Sequence, residues 1–374
     1  MSAFSDLRVL ELGRVFSGPL CGMVLADLGA RVIKVERPGV GDESRRFGRA
    51  EAKGCYFNAL NRSKQSVALD LSDADDRALF VALVEEADVL VHNWVQESLD
   101  KLGFSWEEVH RLNPRLVYCA IGGFGAQTSF AARPSQDIIA QALSGFMSLT
   151  GERGGAPLKS AIPLVDYATG LYAAVAILGA LLERQATGRG QRVRVSLLES
   201  AVAMTSFAGA EHLSTGAVPE RTGNRHPSIC PYNLYETADG HLVIAVANDE
   251  MWARFCRALG LDWLRADGRF TTNATRLAHQ EALEVILGAR MRVSPTAELQ
   301  AALEREKVSC APVNDLAQAF ACAPVRELGM EVDLGEGVRF VGAPFHLDGS
   351  ERAAPTPPPE LGRDTEAVRR RGGW

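Results

Sequence analysis

The chain has 374 residues, with 40 Lys+Arg and 46 Asp+Glu, a formal net charge of −6 and a hydrophobic content of 47%. This length predicts about two domains, and the ordinary composition excludes disordered, collagen-like and disulfide-scaffold proteins. The mildly acidic charge also argues against a nucleic-acid-binding protein, because such proteins are usually basic.

No targeting or membrane segment is expected. The start of the chain has no basic stretch followed by an apolar run, so it does not resemble a signal peptide. The longest apolar run, Leu171 to Leu182, is broken by Gly179 and is too short for a membrane span, which indicates a buried core helix. Seven scattered cysteines without a CxxC pair are typical of free thiols in a reducing compartment. We therefore expect a cytoplasmic protein that contacts no membrane.

The first 125 residues alternate between β-like and helical patterns, which predicts a parallel sheet covered by helices. The expected strands are Val9–Leu12, Arg31–Glu36, Ser66–Leu71, Asp88–Trp94 and Leu116–Ile121. The expected helices are Pro19–Leu28 and Asp75–Glu86.

From Asp137 the pattern becomes helical, with Ile138, Ala142, Phe146 and Leu149 on one face. A long helix is expected from about Tyr167 to Arg184. Its residues Leu171, Val175, Leu178 and Leu182 follow the spacing of a buried stripe. Arg192 to Leu197 alternates polar and apolar residues and predicts another strand.

A different region, roughly 225–320, has the pattern of a small α+β domain. Asp239-Gly240 lies between two β-rich runs and predicts a hairpin with a two-residue turn. Helices are expected at about 250–259, 279–290 and 295–307, the last beginning at Ser294 and Pro295. The Pro-rich segment 355–359 leads into a short helix.

Several common catalytic motifs are absent from the sequence. Gly13, Gly18 and Gly22 follow the first strand, but their spacing is not GxGxxG and Pro19 lies within the turn, so a dinucleotide site is unsupported. The chain has no P-loop, no GxSxG, no HExxH and no His/Cys cluster. We therefore expect no P-loop ATPase, no α/β hydrolase and no catalytic metal.

The basic residues are concentrated near the start. Residues 1–64 carry a net charge of +4, so the remaining residues carry −10. Six of these basic residues lie near predicted strand ends and loops, where parallel sheets bind ligands: Arg14, Arg37, Arg45, Arg46, Arg49 and Lys64. They indicate either a solvated basic face or a site for a phosphate-bearing ligand.

Asp166 is the most suggestive single acid, because it follows an apolar stretch and opens the long helix. It could be an N-cap carboxylate, a nucleophile, or both. The positive helix terminus would keep the carboxylate ionised.

Taken together, these segments resemble the class III CoA-transferase family, which includes formyl-CoA transferase and the carnitine CoA-transferases. The resemblance spans nearly the whole chain. It rests on these stretches: Arg14-Val-Phe-Ser-Gly-Pro, Gly29-Ala-Arg-Val-Ile-Lys-Val-Glu-Arg-Pro-Gly, Asn61-Arg-Ser-Lys-Gln-Ser-Val-Ala-Leu-Asp-Leu, Ala87-Asp-Val-Leu-Val-His-Asn-Trp, Leu112-Asn-Pro-Arg-Leu-Val-Tyr, Asp166-Tyr-Ala-Thr-Gly, Thr187-Gly-Arg-Gly-Gln and Gly342-Ala-Pro-Phe.

The resemblance implies an architecture and a pair of substrates. The expected fold is α/β, with a Rossmann-like large domain over residues 1–215, a smaller α+β domain over 225–320, and a return to the large domain over 330–374. Two chains are expected to form an interlocked homodimer. The substrates would be an acyl-CoA and a free carboxylic acid, with a short dicarboxylate as a candidate acceptor and no permanently bound cofactor.

The resemblance also implies residue roles. Asp166 would attack the donor thioester, and the reaction would pass through an aspartyl anhydride and an aspartyl-CoA thioester. The positions that match CoA-contacting residues are Val15, Phe16, Ser17, Arg37, Leu69, Asn93, Trp94, Lys101, Leu102 and Arg133. Lys101 stands where the family often has Arg, which would weaken a phosphate contact. Leu69, Trp94 and Leu102 fit equally well as ordinary core residues.

The acyl group would lie beside Phe16, Gln136 and Asp137. Backbone groups near Gly122 and Gly123 would stabilise oxyanions. The segment Arg221–Pro227 is the expected closing loop.

Two other functions remain as alternatives. The α-methylacyl-CoA racemases share this fold but use a His–Asp pair, and Gln136 in place of that histidine cannot act as a general base. A non-enzymatic acyl-CoA-binding protein would need no nucleophile.

Overall fold

A computed structural model describes residues 4–334, 338–349 and 354–374. The chain divides into two compact units. The first takes in the described parts of residues 1–147, 159–217 and 326–374, and the second takes in residues 148–158 and 218–325. Residues 335–337 and 350–353, which belong to the segment 330–374 expected to return to the large domain, lie outside the described residues.

The first unit is built on a sheet of six parallel strands, which confirms the predicted α/β fold. The strands are β1 (Arg8–Glu11), β2 (Arg31–Glu36), β3 (Lys64–Ala68), β4 (Val89–His92), β5 (Val117–Gly122) and β6 (Arg192–Ser196). Their order in the sheet is β3-β2-β1-β4-β5-β6, the order of doubly wound nucleotide-binding folds. The chain reverses its direction of winding between β1 and β4, which are neighbours in the sheet.

The connections of this sheet are helical. They are α1 (Ser17–Asp27), α2 (Cys55–Leu60), α3 (Ala74–Glu86), α4 (Gln96–Lys101), α5 (Trp106–Leu112), α6 (Asp137–Leu143), α7 (Phe146–Leu149), α8 (Leu164–Thr187), α9 (Leu197–Ala203) and α10 (Ser206–Thr215). The single helical stretch expected from Asp137 is two helices, because Gly145 adopts a φ of +85° between α6 and α7.

The second unit combines a three-stranded antiparallel sheet with helices. Its strands are β7 (Tyr232–Glu236), β8 (His241–Ala245) and β9 (Ser309–Pro312), in the order β7-β8-β9. Its helices are α11 (Asp249–Leu259), α12 (Asn273–Ala278), α13 (Gln280–Arg292), α14 (Thr296–Arg305) and α15 (Leu316–Ala321), and α16 (Ala323–Glu327) lies at its end.

Two local expectations in the second unit were wrong. Glu236 pairs with His241, so the hairpin loop has four residues rather than two, and Thr237 donates its N–H to the Gly240 carbonyl. Helix α14 begins at Thr296 after Pro295, and Asp239 accepts the Thr296 N–H at 2.8 Å. The hairpin loop therefore caps the helix, a role that the sequence pattern assigned to Ser294.

The described part of 330–374 contributes a short antiparallel pair and a helix to the first unit. The pair is β10 (Glu331–Asp333) with β11 (Arg339–Val341), and the helix is α17 (Thr365–Arg371). Asp364 joins α17 to the edge strand β3, because its backbone N–H and carboxylate pair with the carbonyl and N–H of Ser66, each at 2.9 Å. Thr365 accepts the N–H of Ala68 at 2.9 Å. This segment covers backbone groups of β3 that an edge strand would otherwise expose.

The sheet of the first unit is buried on both faces. On one face, strand residues such as Leu10, Val35 and Leu90 pack with α3, α5 and α17. On the other face, Val9 and Val91 belong to a cluster built with α1 and α8. The first unit is thus a three-layer α/β/α sandwich.

The expected orientation of the long helix was wrong. The residues of α8 that face the sheet cluster are small or branched ones, Ala173, Ala174, Ile177, Ala180 and Leu181. The predicted buried stripe is largely open instead: Leu171, Val175 and Leu182 are 41%, 67% and 68% exposed. The helix carries two apolar faces, and the small residues allow the closer approach to α1 and the sheet.

Helix α8 is also longer than the uninterrupted apolar run in the sequence indicates. Its 24 residues and mean hydropathy of 1.6 satisfy the length and composition of a membrane span, with 44% of the most apolar window buried. Its packing on the sheet is that of the core helix of an α/β unit.

Candidate functional site

The candidate site lies where the winding of the sheet reverses. Because parallel strands end at the same edge, the segments that follow β1, β4 and β5 come together there. A cavity of about 320 Å³ is lined by residues from all three segments and from α8: Arg14, Val15, Phe16, Ser17, Glu43, Asn93, Ile121, Gly122, Gly123, Ser135, Gln136, Asp166 and Leu197. A second cavity of about 510 Å³ lies beside β2, β3 and β4. Arg14 and Glu43 line both cavities.

The loop after β1 has a strained backbone. Val15 adopts a φ of +64°, a region that a β-branched residue rarely occupies. Gly13 and Gly18 touch at the base of the loop, since a Cβ added at Gly13 would lie 2.8 Å from the backbone of Gly18. Such strain persists only where the surroundings impose it.

The carboxylate of Asp42 anchors the backbone of Val15. Its carboxylate accepts the N–H of Val15 at 3.1 and 3.2 Å, and it also accepts the N–H and hydroxyl of Ser44 at 2.9 and 2.7 Å. Asp42 is in turn paired with the buried ammonium of Lys34 at 3.0 Å. Lys34 donates a further hydrogen bond to the Gly13 carbonyl at 2.7 Å, so one cation anchors both ends of the loop's first turn.

This ion network extends beneath the whole loop. Glu11 accepts from Lys34 at 2.8 Å and from Lys64 at 2.6 Å, and all three side chains are fully buried. Two carboxylates, Glu11 and Asp42, balance two ammonium groups, Lys34 and Lys64. Burial disfavours the charged form of Lys34, but Glu11 and Asp42 outweigh it and raise its pKa. For Lys64, burial is the larger effect and lowers the pKa to about 8.

Asn93, which follows β4, holds the same loop from the other side. Its carboxamide oxygen accepts the N–H of Arg14 at 2.8 Å, and its amide donates to the Arg14 carbonyl at 2.8 Å. The loop 13–18 is therefore fixed by Asp42 and Lys34 on one side and by Asn93 on the other.

Asp166 lies in the first turn of α8, but it does not cap the helix. The N-cap residue is Pro163, which has no side-chain oxygen. The capping carboxylate comes from another helix: Asp137 accepts the N–H of Val165 at 2.8 Å and that of Asp166 at 3.1 Å. The expectation of an N-cap role for Asp166 was therefore wrong, and its side chain is free to face the cavity.

The expected effect of the helix terminus on Asp166 was also wrong. Burial, followed by the nearby charge of Asp137, raises the pKa of Asp166 to about 7, and a hydrogen bond from Ser17 only partly offsets them. The Asp137 carboxylate that caps the helix has taken the N–H groups near Asp166 and added a like charge. Near neutral pH, Asp166 is thus present in both protonation states.

The contact between Ser17 and Asp166 depends on a glycine. Gly170 follows Asp166 by one helical turn, and a Cβ there would lie 2.8 Å from the Ser17 carbonyl oxygen. The absence of a side chain lets the start of α1 approach the second turn of α8 closely. This close approach brings the loop after β1 against the first turn of α8.

The larger cavity collects several residues that match CoA-contacting positions. Arg37, Leu69, Trp94 and Leu102 line it. Leu69 is also buried in the core cluster of the sheet, and Trp94 and Leu102 pack against that cluster. The two alternatives for these residues, core side chain and cavity wall, are therefore compatible.

The structure does not bring all the expected residues together. Lys101 ends α4 with an exposed side chain and does not line the larger cavity. Arg133 lies over the Phe130 ring at 3.6 Å and lines a separate groove with Phe124 and Leu143. Gln136 and the two glycines Gly122 and Gly123 do line the Asp166 cavity. Asp137 does not line the cavity; it affects the site through its cap on α8 and through its charge beside Asp166.

The six basic residues near strand ends fall into three groups. Lys64 is buried against Glu11, and Arg45 pairs with Glu36 at 2.6 Å, so both are structural. Arg46 and Arg49 are exposed and line neither cavity. Arg14 and Arg37 alone of the six line a cavity, so the basic excess of residues 1–64 is only partly available to a ligand.

The segment Arg221–Pro227, expected to be a closing loop, belongs to the second unit. The Arg221 guanidinium donates to the carbonyls of Ser148 and Gly155 at 3.0 and 2.6 Å, and Arg225 pairs with Glu284. Its role in closure stays a prediction.

Sequence reasoning missed the residues that hold the site. Charged residues inside the apolar strands, Glu11 in β1 and Lys34 in β2, were the available signal, because charges in a buried parallel sheet must be paired. Ser135 was also missed; its hydroxyl is buried, lines the Asp166 cavity and has no hydrogen-bond partner in the described part of the chain. Among those same residues, no group of three or more His, Cys, Asp or Glu side chains is placed to hold a metal ion.

Comparisons with known proteins identify relatives over nearly the full length. The model of CoA-transferase family III matches residues 4–365. A succinate–glutarate CoA-transferase of Agrobacterium fabrum is 37% identical, over 97% of this chain and 94% of that protein. A succinyl-CoA:mesaconate CoA-transferase of Haloarcula marismortui is 39% identical, over 93% and 90% of the two chains. The crystal structure of a CAIB/BAIF family protein from Brucella suis is 35% identical and superposes with a TM-score of 0.90, over 98% of each chain.

The buried network predicts a large effect of Asp42. Asp42→Asn keeps an oxygen for the Val15 N–H but leaves Glu11 as the one carboxylate that pairs with the two buried ammonium groups of Lys34 and Lys64. We expect it to lower the free energy of unfolding by about 3 kcal/mol, as breaking a buried ion pair does. Chemical denaturation measures this loss. The double variant Lys34→Met, Asp42→Asn restores the charge balance and should regain much of it, whereas a single variant as stable as the parent protein would contradict the anchoring role.

The environment of Asp166 predicts its titration. Carboxyl carbon NMR on Asp-labelled protein should show Asp166 titrating near pH 7, since burial and Asp137 both favour the protonated form. In Asp137→Asn the like charge disappears while an oxygen remains for the helix cap, so the pKa of Asp166 should fall but stay above its ordinary value. Asp267, whose pKa its hydrogen bonds to Arg269 lower to about 2, serves as the unaffected reference. Titration of Asp166 near pH 4 in the parent protein would refute this account.

Proposed function

Because this chain belongs to CoA-transferase family III and is a CoA-transferase, we propose that it moves CoA from an acyl-CoA to a free carboxylic acid by way of Asp166. The observation that carries this proposal is the place of Asp166. It is a partly buried carboxylate in a cavity at the end of the parallel sheet, beside a larger cavity where the CoA-matching residues lie.

The proposed reaction has four substitutions at carbonyl carbon. The Asp166 carboxylate attacks the donor thioester, the C–S bond breaks, and CoA thiolate and a mixed anhydride form. The thiolate attacks the aspartyl carbonyl, which releases the donor acid and leaves an aspartyl-CoA thioester. The acceptor carboxylate then displaces the thiolate to form a second anhydride. Attack of the thiolate on the acceptor-derived carbonyl gives the new acyl-CoA and restores Asp166.

The surroundings of Asp166 fit these steps. A carboxylate with a pKa near 7 is more basic than an ordinary aspartate, and it is still substantially ionised at neutral pH. Gly122 and Gly123 line the cavity and present backbone in the region where tetrahedral oxyanions would form. Ser135 adds a hydroxyl without another partner among the described residues. Both the anhydride and the thioester require that water be excluded from the cavity.

CoA would extend from the larger cavity to Asp166. Its nucleotide end would lie beside Leu69, Trp94 and Leu102, with Arg37 as a phosphate partner. The backbone of Val15, Phe16 and Ser17, with Asn93, would hold the thioester end. Lys101 and Arg133 remain proposed contacts at the periphery, Lys101 with a single charge rather than a bidentate fork.

The proposed acceptor is a short dicarboxylate. The relatives described above are named for glutarate, succinate and mesaconate, and all of these are short diacids. Phe16 and Gln136 would border the acyl chain, with Asp137 behind them as the cap of α8.

We also propose an interlocked homodimer in the cytoplasm, without a permanently bound cofactor. The apolar faces of α6, α8 and α10 support the dimer, because Ile138, Val175 and Phe207 are 44%, 67% and 64% exposed in the single chain. The seven cysteines are all free, as a reducing compartment requires. In this proposal residues 1–215 and 330–374 form the CoA-binding domain, and 225–320 form the smaller one.

The two alternatives have less support. Gln136 lines the cavity where a racemase would need a titratable base, and an amide cannot exchange an α-proton. A protein that only binds acyl-CoA needs no carboxylate at the end of that cavity. Burying the Asp166 carboxylate there costs free energy, which a binding role alone does not explain.

The nucleophile is tested by removing it. Asp166→Ala should lower CoA transfer from succinyl-CoA to glutarate by at least about 1,000-fold while CoA binding by calorimetry changes little, because covalent chemistry is lost and the cavity walls remain. In the parent enzyme, mass spectrometry after borohydride treatment should find the reduced Asp166 peptide. Full transfer by the alanine variant would refute the mechanism, and wash-in of deuterium at the α-carbon without CoA exchange would favour the racemase.

The dimer is tested on the exposed face of α8. Val175→Asp places a charge in the centre of that apolar face and should convert the dimer to monomers in sedimentation velocity, since an unpaired buried charge strongly opposes association. Glu183→Lys, on an exposed polar position of the same helix, changes the charge as well and should leave the dimer intact. A Val175→Asp protein that stays dimeric would place the interface elsewhere.

A further inference from the structure

We propose that Arg14 binds the carboxylate of the acceptor that does not react, and that it thereby sets a preference for diacids over monoacids. This inference rests on the proposed transfer function and identifies the residue that selects its substrate class. It is argued from the contacts of Arg14 with Glu43 and Asn93.

The first observation is the charge of the Asp166 cavity. Among the described residues that line it, Arg14 is the only cation, and Glu43 and Asp166 are the acids. A dicarboxylate that brings one carboxylate to the reacting centre carries its second charge into the same cavity. That charge needs a cationic partner, because a buried unpaired carboxylate is strongly disfavoured.

The other nearby cations are already committed. Lys34 and Lys64 are fully buried against Glu11 and Asp42, and Arg45 is held by Glu36. Arg37 lines only the larger cavity. Arg14 is therefore the one described basic residue of this edge that faces the Asp166 cavity.

The second observation is the partner that Arg14 has now. Its guanidinium contacts the Glu43 carboxylate at 3.0 Å, with the two side chains 48% and 38% exposed. An ion pair this open contributes little to stability and exchanges readily. The other oxygen of Glu43 is buried and has no hydrogen-bond partner among the described residues. Glu43 thus occupies the place on Arg14 that a substrate carboxylate would take.

The third observation is how firmly the base of Arg14 is held. Asn93 clamps both its backbone N–H and its carbonyl at 2.8 Å, and the next residue is the strained Val15. The guanidinium lies 5.6 Å from the Trp94 ring centroid. Because its backbone is fixed, the guanidinium lies within a limited distance of the reacting centre, which suits a diacid of defined length.

The test compares acids of equal chain length. Steady-state kinetics would use acetyl-CoA at a fixed concentration as the donor, because it carries no second carboxylate, and glutarate and pentanoate as acceptors, for the parent enzyme, Arg14→Met and Arg14→Lys. We expect Arg14→Met to lower kcat/KM for glutarate by about 10- to 100-fold, mainly through KM, as loss of a charged hydrogen bond does. The value for pentanoate should stay within a factor of about 3, and Arg14→Lys should retain part of the preference.

Two controls separate this role from others. Arg46→Met removes an equal charge from the same segment, at an exposed residue that lines neither cavity, and should leave the preference unchanged. Calorimetry with CoA itself should give the same Kd for the parent enzyme and Arg14→Met. If the CoA Kd rises as much as KM for glutarate, or if both acids lose activity equally, Arg14 is a CoA or scaffold residue and the inference is overturned.

The proposed function fails separately. If the parent enzyme transfers CoA to no carboxylic acid, the proposed function itself is wrong. If it transfers CoA and Arg14→Met keeps the full preference for glutarate over pentanoate, only the role of Arg14 is wrong.

Discussion

The site depends on a charge-balanced network buried beneath the loop that follows β1. Lys34 is its centre: one ammonium group contacts Glu11, Asp42 and the Gly13 carbonyl. Removing four charges from water is costly unless each finds its partner, and here every charge does. The result is a fixed backbone, because Lys34 helps to hold the Asp42 carboxylate that accepts the Val15 N–H. The fixed Val15 in turn positions Phe16 and Ser17, which follow it in the chain. It thereby positions Ser17 for its contact with Asp166.

Asp166 shows how a helix terminus can fail to stabilise a carboxylate. A helix N-terminus normally favours a negative charge. Here Asp137 reaches across from α6 and accepts the N–H groups of Val165 and Asp166, so the helix is capped by a different acid. Burial and the charge of Asp137 then dominate the pKa of Asp166. The two carboxylates at this helix end therefore have different roles. Asp137 caps the helix, and Asp166 faces the cavity with a raised pKa.

The sequence predicted the sheet well and the orientation of side chains less well. Strands such as Arg31–Glu36 are recognisable because apolar runs and turn residues act locally. The buried face of α8 could not be predicted, since the helix carries large apolar residues on one side and small ones on the other. In the folded chain the small side faces inward, and Gly170 packs closely against Ser17 and Leu20 of α1. Lys64 looked like a ligand residue because its partner, Glu11, lies 53 positions away in the chain and adjacent only in the folded sheet. The cap from Asp137 on α8 could not be predicted either, because the two segments meet only in the folded chain. The strand-end glycines and Asp166 could be predicted, because the residues next to them in the sequence indicate their place.

The pairing of Asp364 and Thr365 with the edge strand β3 has a consequence for synthesis on the ribosome. Ser66 and Asp364 are separated by 298 positions, so at usual translation rates about 15 to 60 s pass between them. During that interval the nascent chain holds β3 with an open edge, and Ser66 and Ala68 have no partner from this segment. An open strand edge invites pairing with other chains. The first unit can therefore cover the edge of β3 with this segment only after the intervening second unit has been made.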